Sequence, residues 1–231
     1  MTTEDFRKHL KQLPQQHPFY QRAHPFWQAC FRGRLPVEAL KAWSLDTHPF
    51  VRDFPRSYMM VAAKTDSTEA LTYLGETIYE ETGCGEVAES HANLFATFTE
   101  GLGMSKADLL PEPPSKGGHA AWQYVCRMAR EGTFMEGLAC VGLGVERPLP
   151  EFYAMLAKTF HKRYGVPTGP LRYFSLHTSA DVKHSMTALK IILQEAKTPE
   201  QQERVTQVIT GLWDIQLQHL DELLERYGKR V

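Results

Sequence analysis

The stretch His177-Thr178-Ser179-Ala180-Asp181-Val182-Lys183-His184 carries three metal-ligand side chains at i, i+4 and i+7, inside a long segment of helical apolar spacing. At about 100° per residue, His177, Asp181 and His184 fall within an arc of roughly 60° on one helix face, so their donor atoms converge. A single helix can thus offer a metal three ligands. The same spacing also suits a plain polar helix face, and the rest of the chain decides between the two. Outward from this segment, apolar residues recur at three and four positions and strand-like alternation is scarce, which predicts an all-α protein.

The 231 residues, 42% of them hydrophobic, are enough to bury a sizeable core, and no shift in composition marks a second domain. Residues 1–231 are therefore expected to form one helical domain. With a net charge of −1 and both signs interspersed, no basic face offers itself to nucleic acid or to an anionic membrane. Residues 1–16 are polar and charged, and the longest weakly polar run, 137–145, is too short to span a bilayer, so a soluble, cytoplasmic protein is expected. Cys30, Cys84, Cys126 and Cys140 form no Cys-x-x-Cys pair, which excludes a zinc knuckle or iron–sulfur site and predicts reduced, mostly buried thiols.

Helical spacing runs over 17–32 and 36–63, the latter with a kink or break expected at Pro49 and Pro55. Asp66-Ser67 predicts an N-cap for a helix ending at Gly83, and another helix is expected from about Glu86 to Gly101. A Pro- and Gly-rich loop over 110–118 precedes segments at 119–130, 133–145 and 150–164. Gly165 to Pro170 reads as a turn before a helix over 171–196, and Thr198-Pro199 predicts the start of a closing amphipathic helix ending near Tyr227.

Further inward-facing polar residues follow from the same arithmetic. Glu81 shares a face with Leu74 and Ile78 whereas Glu80 points away by about 100°, and His91 lies in a stripe with Leu94, Phe95 and Phe98. Glu146 closes the almost uncharged run 137–145. A carboxylate facing a core is costly unless paired, protonated or bound to a metal. For Glu146 the pairing alternative is a salt bridge to Arg147 or Arg172. Together Glu81, His91, Glu146, His177, Asp181 and His184 supply three carboxylates and three imidazoles, a donor set that suits two first-row metals, iron or manganese, with positions left open. Paired Glu-x-x-His motifs are absent, so the ordinary ferritin-like arrangement is not indicated.

Glu80-Glu81-Thr82-Gly83 before Ser90-His91, then Val145-Glu146-Arg147-Pro148-Leu149-Pro150, then the late His-x3-Asp-x2-His, in this order across nearly the whole chain, resemble the haem-oxygenase-like di-metal oxidases and oxygenases. Ala180 to His184 and His24-Pro25-Phe26-Trp27 are similar to the corresponding segments of CADD-like proteins. The resemblance implies a bundle of about seven helices holding two irons through the same six ligands, with Glu80 as the substitute for Glu81 should the turn shift by one residue. It also implies a peroxo-level di-iron oxidation, dioxygen being the co-substrate and the target a small amino acid, amine or carboxylate. The tyrosine that CADD-like proteins sacrifice in making aminobenzoate would fall at Trp27 and its accompanying lysine near Leu156, which speaks against that reaction, although Tyr58, Tyr79, Tyr153 or Tyr173 could supply a redox-active phenol. The alternatives are a metal-independent enzyme resembling the pyrroloquinoline-quinone synthase or thiaminase branches, which need no six ligands, or a CADD-like interaction protein.

Trp27, Trp43, Phe50, Phe54, Tyr58, Phe95 and Trp122 read mostly as core. Trp27, His48 with Asp46, and Tyr58 are nevertheless candidates for the substrate cavity, and Arg147, Arg172 and Arg56 for clamping a carboxylate. His119 and His161 suit exposed positions. An external electron donor and a homodimer complete the expectations.

Overall fold

A computed structural model describes residues 1–18 and 23–228, the side chains of 179–182 excepted. Among them the structure is all-α. Its α-helices are α1 (Thr3–Gln16), α2 (Pro25–Phe31), α3 (Val37–Ala62), α4 (Thr68–Glu81), α5 (His91–Gly101), α6 (Lys116–Glu131), α7 (Phe134–Leu138), α8 (Leu149–Tyr164), α9 (Arg172–Glu195) and α10 (Pro199–Tyr227). The count exceeds the expected seven partly because α2 and α7 are short pieces and α1 was not anticipated. Phe6, Leu10 and Leu13 are nonetheless its buried stripe, at the helical spacing i, i+4, i+7.

The helix starts follow local chemistry. The Ser67, Ser90 and Ser115 hydroxyls accept hydrogen bonds from the third residue into α4, α5 and α6, satisfying donors that a helix N-terminus leaves free. Thr198 with Gln201 forms a reciprocal capping box, and Pro199 sits at N1 of α10, where its missing N–H costs nothing. Contrary to the expected break, α3 runs through Pro49 and Pro55 without interruption. Its buried face, including Trp43, Val51, Phe54, Tyr58 and Val61, packs against α4, α5 and α6. That burial outweighs the loss of two backbone hydrogen bonds.

Two local features set the positions of candidate ligands. Between α4 and α5, Gly83, Cys84 and Gly85 all have positive φ, so the chain reverses directly after Glu81 and delivers His91 at the first position of α5. A Cβ at Gly83 would lie 2.3 Å from the Glu86 carbonyl oxygen, so only glycine fits. After α7 the chain widens into a fully buried π-helix, Ala139–Val145, in which the Glu146 N–H bonds back five residues to Val141. The indole N–H of Trp213 donates to the Gly144 carbonyl at 2.7 Å. The π segment packs against α9 and α10, and a hypothetical Cβ at Gly142 would lie 2.5 Å from that of Ala188.

Candidate metal centre

The ends of α4 and the π segment, the start of α5, and the middle of α9 bring five of the six candidate ligands together. Glu81, His91 and His177 form one trio and Glu81, Glu146 and His184 a second, each with its donor atoms within 4.8 Å of one another. All five residues are at most 5% exposed. Asp181, the sixth candidate, lies outside the residues whose side chains are described. Glu81 belongs to both trios, so its two oxygens could serve two neighbouring cations.

These groups crowd around common positions without forming well-directed hydrogen bonds to one another. Glu81 Oε2 and His91 Nδ1 approach to 2.7 Å and His184 Nδ1 and Glu146 Oε1 to 3.4 Å. Yet His91 Nδ1, His184 Nδ1 and both Glu146 oxygens find no hydrogen-bond partner among the described residues. A buried polar atom left so costs about 1–3 kcal/mol, whereas cations at the two positions would satisfy all of them. On this observation the residues fit a pair of metal ions.

The outer nitrogens of the two α9 imidazoles are held. His184 Nε2 lies 2.6 Å from Glu80, which also takes Lys183. His177 Nδ1 lies 2.6 Å from the Tyr173 carbonyl oxygen, leaving Nε2 for the site. Such partners fix the ring and its tautomer. Glu80 is therefore no substitute for Glu81 but the anchor of His184, a role that sequence spacing did not suggest.

Electrostatics reflect this crowding. Burial pushes Glu146 up, and Glu81 within the same cluster adds to that. Burial acts the same way on Glu81, but His91, His177 and His184 together hold its carboxyl below the usual range. His177 drops to about 4 through burial and the neighbouring His91. Burial would also lower His184, yet Glu146 and Glu80 outweigh it and lift the ring to about 9.

A cavity of about 110 Å³ opens beside the trios, lined by Glu81, Glu146 and His177 and walled by Trp27, Trp43, Phe50, Phe54, Phe152, Tyr153 and Tyr173. Trp27, a candidate for the cavity, thus lines it together with Trp43, Phe50 and Phe54, expected mostly as core, because their rings stack around space instead of filling it: Trp27 meets Trp43 and Phe152 edge-on at 5.1 Å. Tyr58 is fully buried outside the lining, and burial, then the nearby Glu146, raises its phenol. His48 also falls outside the lining, its ring 6.5 Å from Phe95, while Asp46, two residues before it and so on the other side of α3, lines it. Trp122 lies away from the cavity and donates to Asp53 at 3.1 Å.

The three arginines do not reach the cavity. Arg172 pairs with Glu89 and Arg56 with Asp53, and Arg147 is absent from the described lining. Tyr79 is exposed and bonds the Cys84 carbonyl. His161 is exposed and His119 half-buried. Among the cysteines, Cys30 and Cys140 are buried, Cys126 is half-buried and Cys84 exposed.

The sequence profile of iron-containing redox enzymes matches residues 41–216, and the chain belongs to that family. It is 25% identical over 215 residues to a 4-aminobenzoate synthase of Chlamydia pneumoniae, covering 88% of this chain and 89% of that one. Among solved structures it resembles a TenA homolog from Pseudomonas syringae, with TM-score 0.76, 16% identity and coverage of 96% and 91%. It also resembles a CADD-like protein of unknown function from Nostoc punctiforme, with TM-score 0.75, 18% identity and coverage of 97% and 98%. The fold is thus the haem-oxygenase-like one that the motifs implied. Among the described residues no helix is long and apolar enough to cross a membrane.

Proposed function

We propose that this protein is an oxygen-dependent oxidoreductase holding two metal ions, iron by preference and manganese as the substitute, which oxidises a small molecule in the adjoining cavity. The buried donor atoms of His91, Glu146 and His184, clustered without well-formed hydrogen bonds, carry this reading, and membership of an iron-containing redox family supports it. Glu81, His91 and His177 would hold one ion and Glu81, Glu146 and His184 the other, with Asp181 completing the set. When bound, iron would supply the electrons and open positions that activate dioxygen. Glu80 and the Tyr173 carbonyl keep the two α9 imidazoles aimed. The aromatic wall excludes water from that face, and the Tyr153 and Tyr173 rings pack on His177 with centroids 5.6 and 4.3 Å away.

The name of the Chlamydia relative raises aminobenzoate synthesis as a second reading. By the resemblance drawn from the sequence, the consumed tyrosine would fall at Trp27 and its lysine near Leu156, both buried here, so the first reading is preferred. Anaerobic titration of metal-free protein with Fe(II) tests it. Two irons per chain are expected, falling to one or none in His184→Ala and His177→Ala, with a visible absorption change on adding oxygen in the parent only. Equal iron uptake by parent and variants, or none by the parent, would remove the di-metal reading.

A further inference from the structure

The cavity has a second polar pole, away from the candidate ligands, formed by α3, α6 and α10. Asp46 and His219, both buried, meet there, with Nε2 of His219 2.8 Å from Oδ2. The other Asp46 oxygen accepts the Ser115 backbone N–H at 2.9 Å. Two glycines seat α6 against this pair: a Cβ at Gly118 would lie 2.7 Å from Asp46 and one at Gly117 2.5 Å from His219. Gln216, one turn before His219, also lines the cavity, and its buried Oε1 has no hydrogen-bond partner among the described residues.

The buried atom left without a partner at this pole, Gln216 Oε1, is an acceptor, and the Asp46 carboxylate beside it only accepts. With the shared proton on Nε2, His219 presents the Nδ1 lone pair. Asp46 retains lone pairs beyond its two bonds, since a carboxylate offers about four, and Gln216 Oε1 is unused. No lysine or arginine occurs among the described lining residues. A carboxylate placed there would be a buried anion facing acceptors, which is strongly unfavourable. An ammonium or amine would donate to all three groups and lie among aromatic faces that attract cations.

We infer that the cavity selects a small amine, its nitrogen bound by Asp46, Gln216 and His219 and its apolar body lying against Trp27 and Trp43 towards the metal positions. An apolar cavity of about 150 Å³ accommodates benzene, so 110 Å³ suits a body of about five or six non-hydrogen atoms. The inference narrows the proposed function, since it rests on the same cavity being the substrate site, but it does not depend on the metal.

Calorimetry with isopentylamine, isopentanol and 3-methylbutanoate, on metal-free protein and on anaerobic Fe(II)-loaded protein, tests it. The amine is expected to bind both forms, at least tenfold more tightly than the carboxylate, with the alcohol between them. Asp46→Asn and Gln216→Met should each weaken the amine about tenfold while leaving iron stoichiometry unchanged. Gln216→Met removes an acceptor without breaking the Asp46–His219 pair, so it decides the matter if Asp46→Asn does not fold. Amine binding that is lost on iron loading would put the nitrogen among the metal ligands and overturn the assignment. So would carboxylate binding as tight as amine binding, amine binding unchanged in Gln216→Met, or no saturable amine binding. Failure of iron uptake with amine selectivity intact would sink the di-metal reading alone.

Discussion

Adjacent carboxylates Glu80 and Glu81 lie on opposite sides of the centre: Glu81 is shared by both trios, whereas Glu80 grips the far nitrogen of His184. Replacing such an outer partner typically costs 10–100-fold in metal affinity. Glu80→Gln is expected to weaken Fe(II) binding by that factor in a chelator competition without lowering the stoichiometry. Glu76→Gln, which removes only another Lys183 partner, should leave affinity unchanged. Equal effects of the two would reduce Glu80 to a surface charge. The clustering of Glu81, His91, Glu146, His177 and His184 had separate traces in the sequence: Glu81 and His91 as polar residues on apolar helix faces, His177 and His184 by their spacing along one helix, and Glu146 as the charge that closes an almost uncharged run. The role of Glu80 left none, since it depends on α4 and α9 lying side by side, a contact between residues 104 apart. His219 was missed for the same reason, its partner Asp46 being 173 residues away. A buried histidine inside the apolar stripe of α10 was the one local signal available.

At the level of elements, the helix boundaries were readable from Ser67, Thr198-Pro199 and Gly165, whose capping and turn chemistry is local. The prolines of α3 misled because burial on several sides overrode local propensity. The π segment left no trace in the periodicity either: a stretch buried at every residue has no polar face to reveal its pitch. Its glycines mark close approach instead. Gly142→Val would force a side chain into Ala188, and overpacking of this kind costs about 1–3 kcal/mol. Thermal unfolding should therefore show a fall in Tm of several degrees, with weakened iron binding, because the strained segment carries Glu146. Gly75→Ala, where a Cβ meets nothing within 4 Å, should be neutral or slightly stabilising by comparison.

Across the whole molecule, Asp53 ties α3 to α6. It accepts from Arg52 at 2.7 Å and from the Trp122 indole at 3.1 Å, and it pairs with Arg56. Arg52 also donates to the Pro111 carbonyl and so pins the loop before α6. Burial would raise the Asp53 carboxyl, but Arg52, Trp122 and Arg56 together hold it below the usual carboxylate range. Because the folded-state value lies below the unfolded one of about 3.9, the stabilisation is complete above about pH 4 and disappears as pH falls through the folded-state value. Urea unfolding from pH 7 to pH 3 should show this acid loss in the parent and a shallower decline in Asp53→Asn. Parallel curves would remove Asp53 from the acid limb. The amino-terminal segment is bound to α10 in a similar way, through His9 with Thr206, His17 with Asp214 and His24 with Asp221.

The wide turn that ends at Glu146 has a consequence for how this segment can change in descent. A π-helix differs from an α-helix by a single extra residue, so loss of one codon within 139–145 would restore regular pitch. Because the wider turns absorb the extra residue, the chain before and after them keeps its phase and Glu146 keeps its aim at the cluster. The same bundle can thereby gain or shed the wide turn at the cost of one triplet, without redirecting this carboxylate.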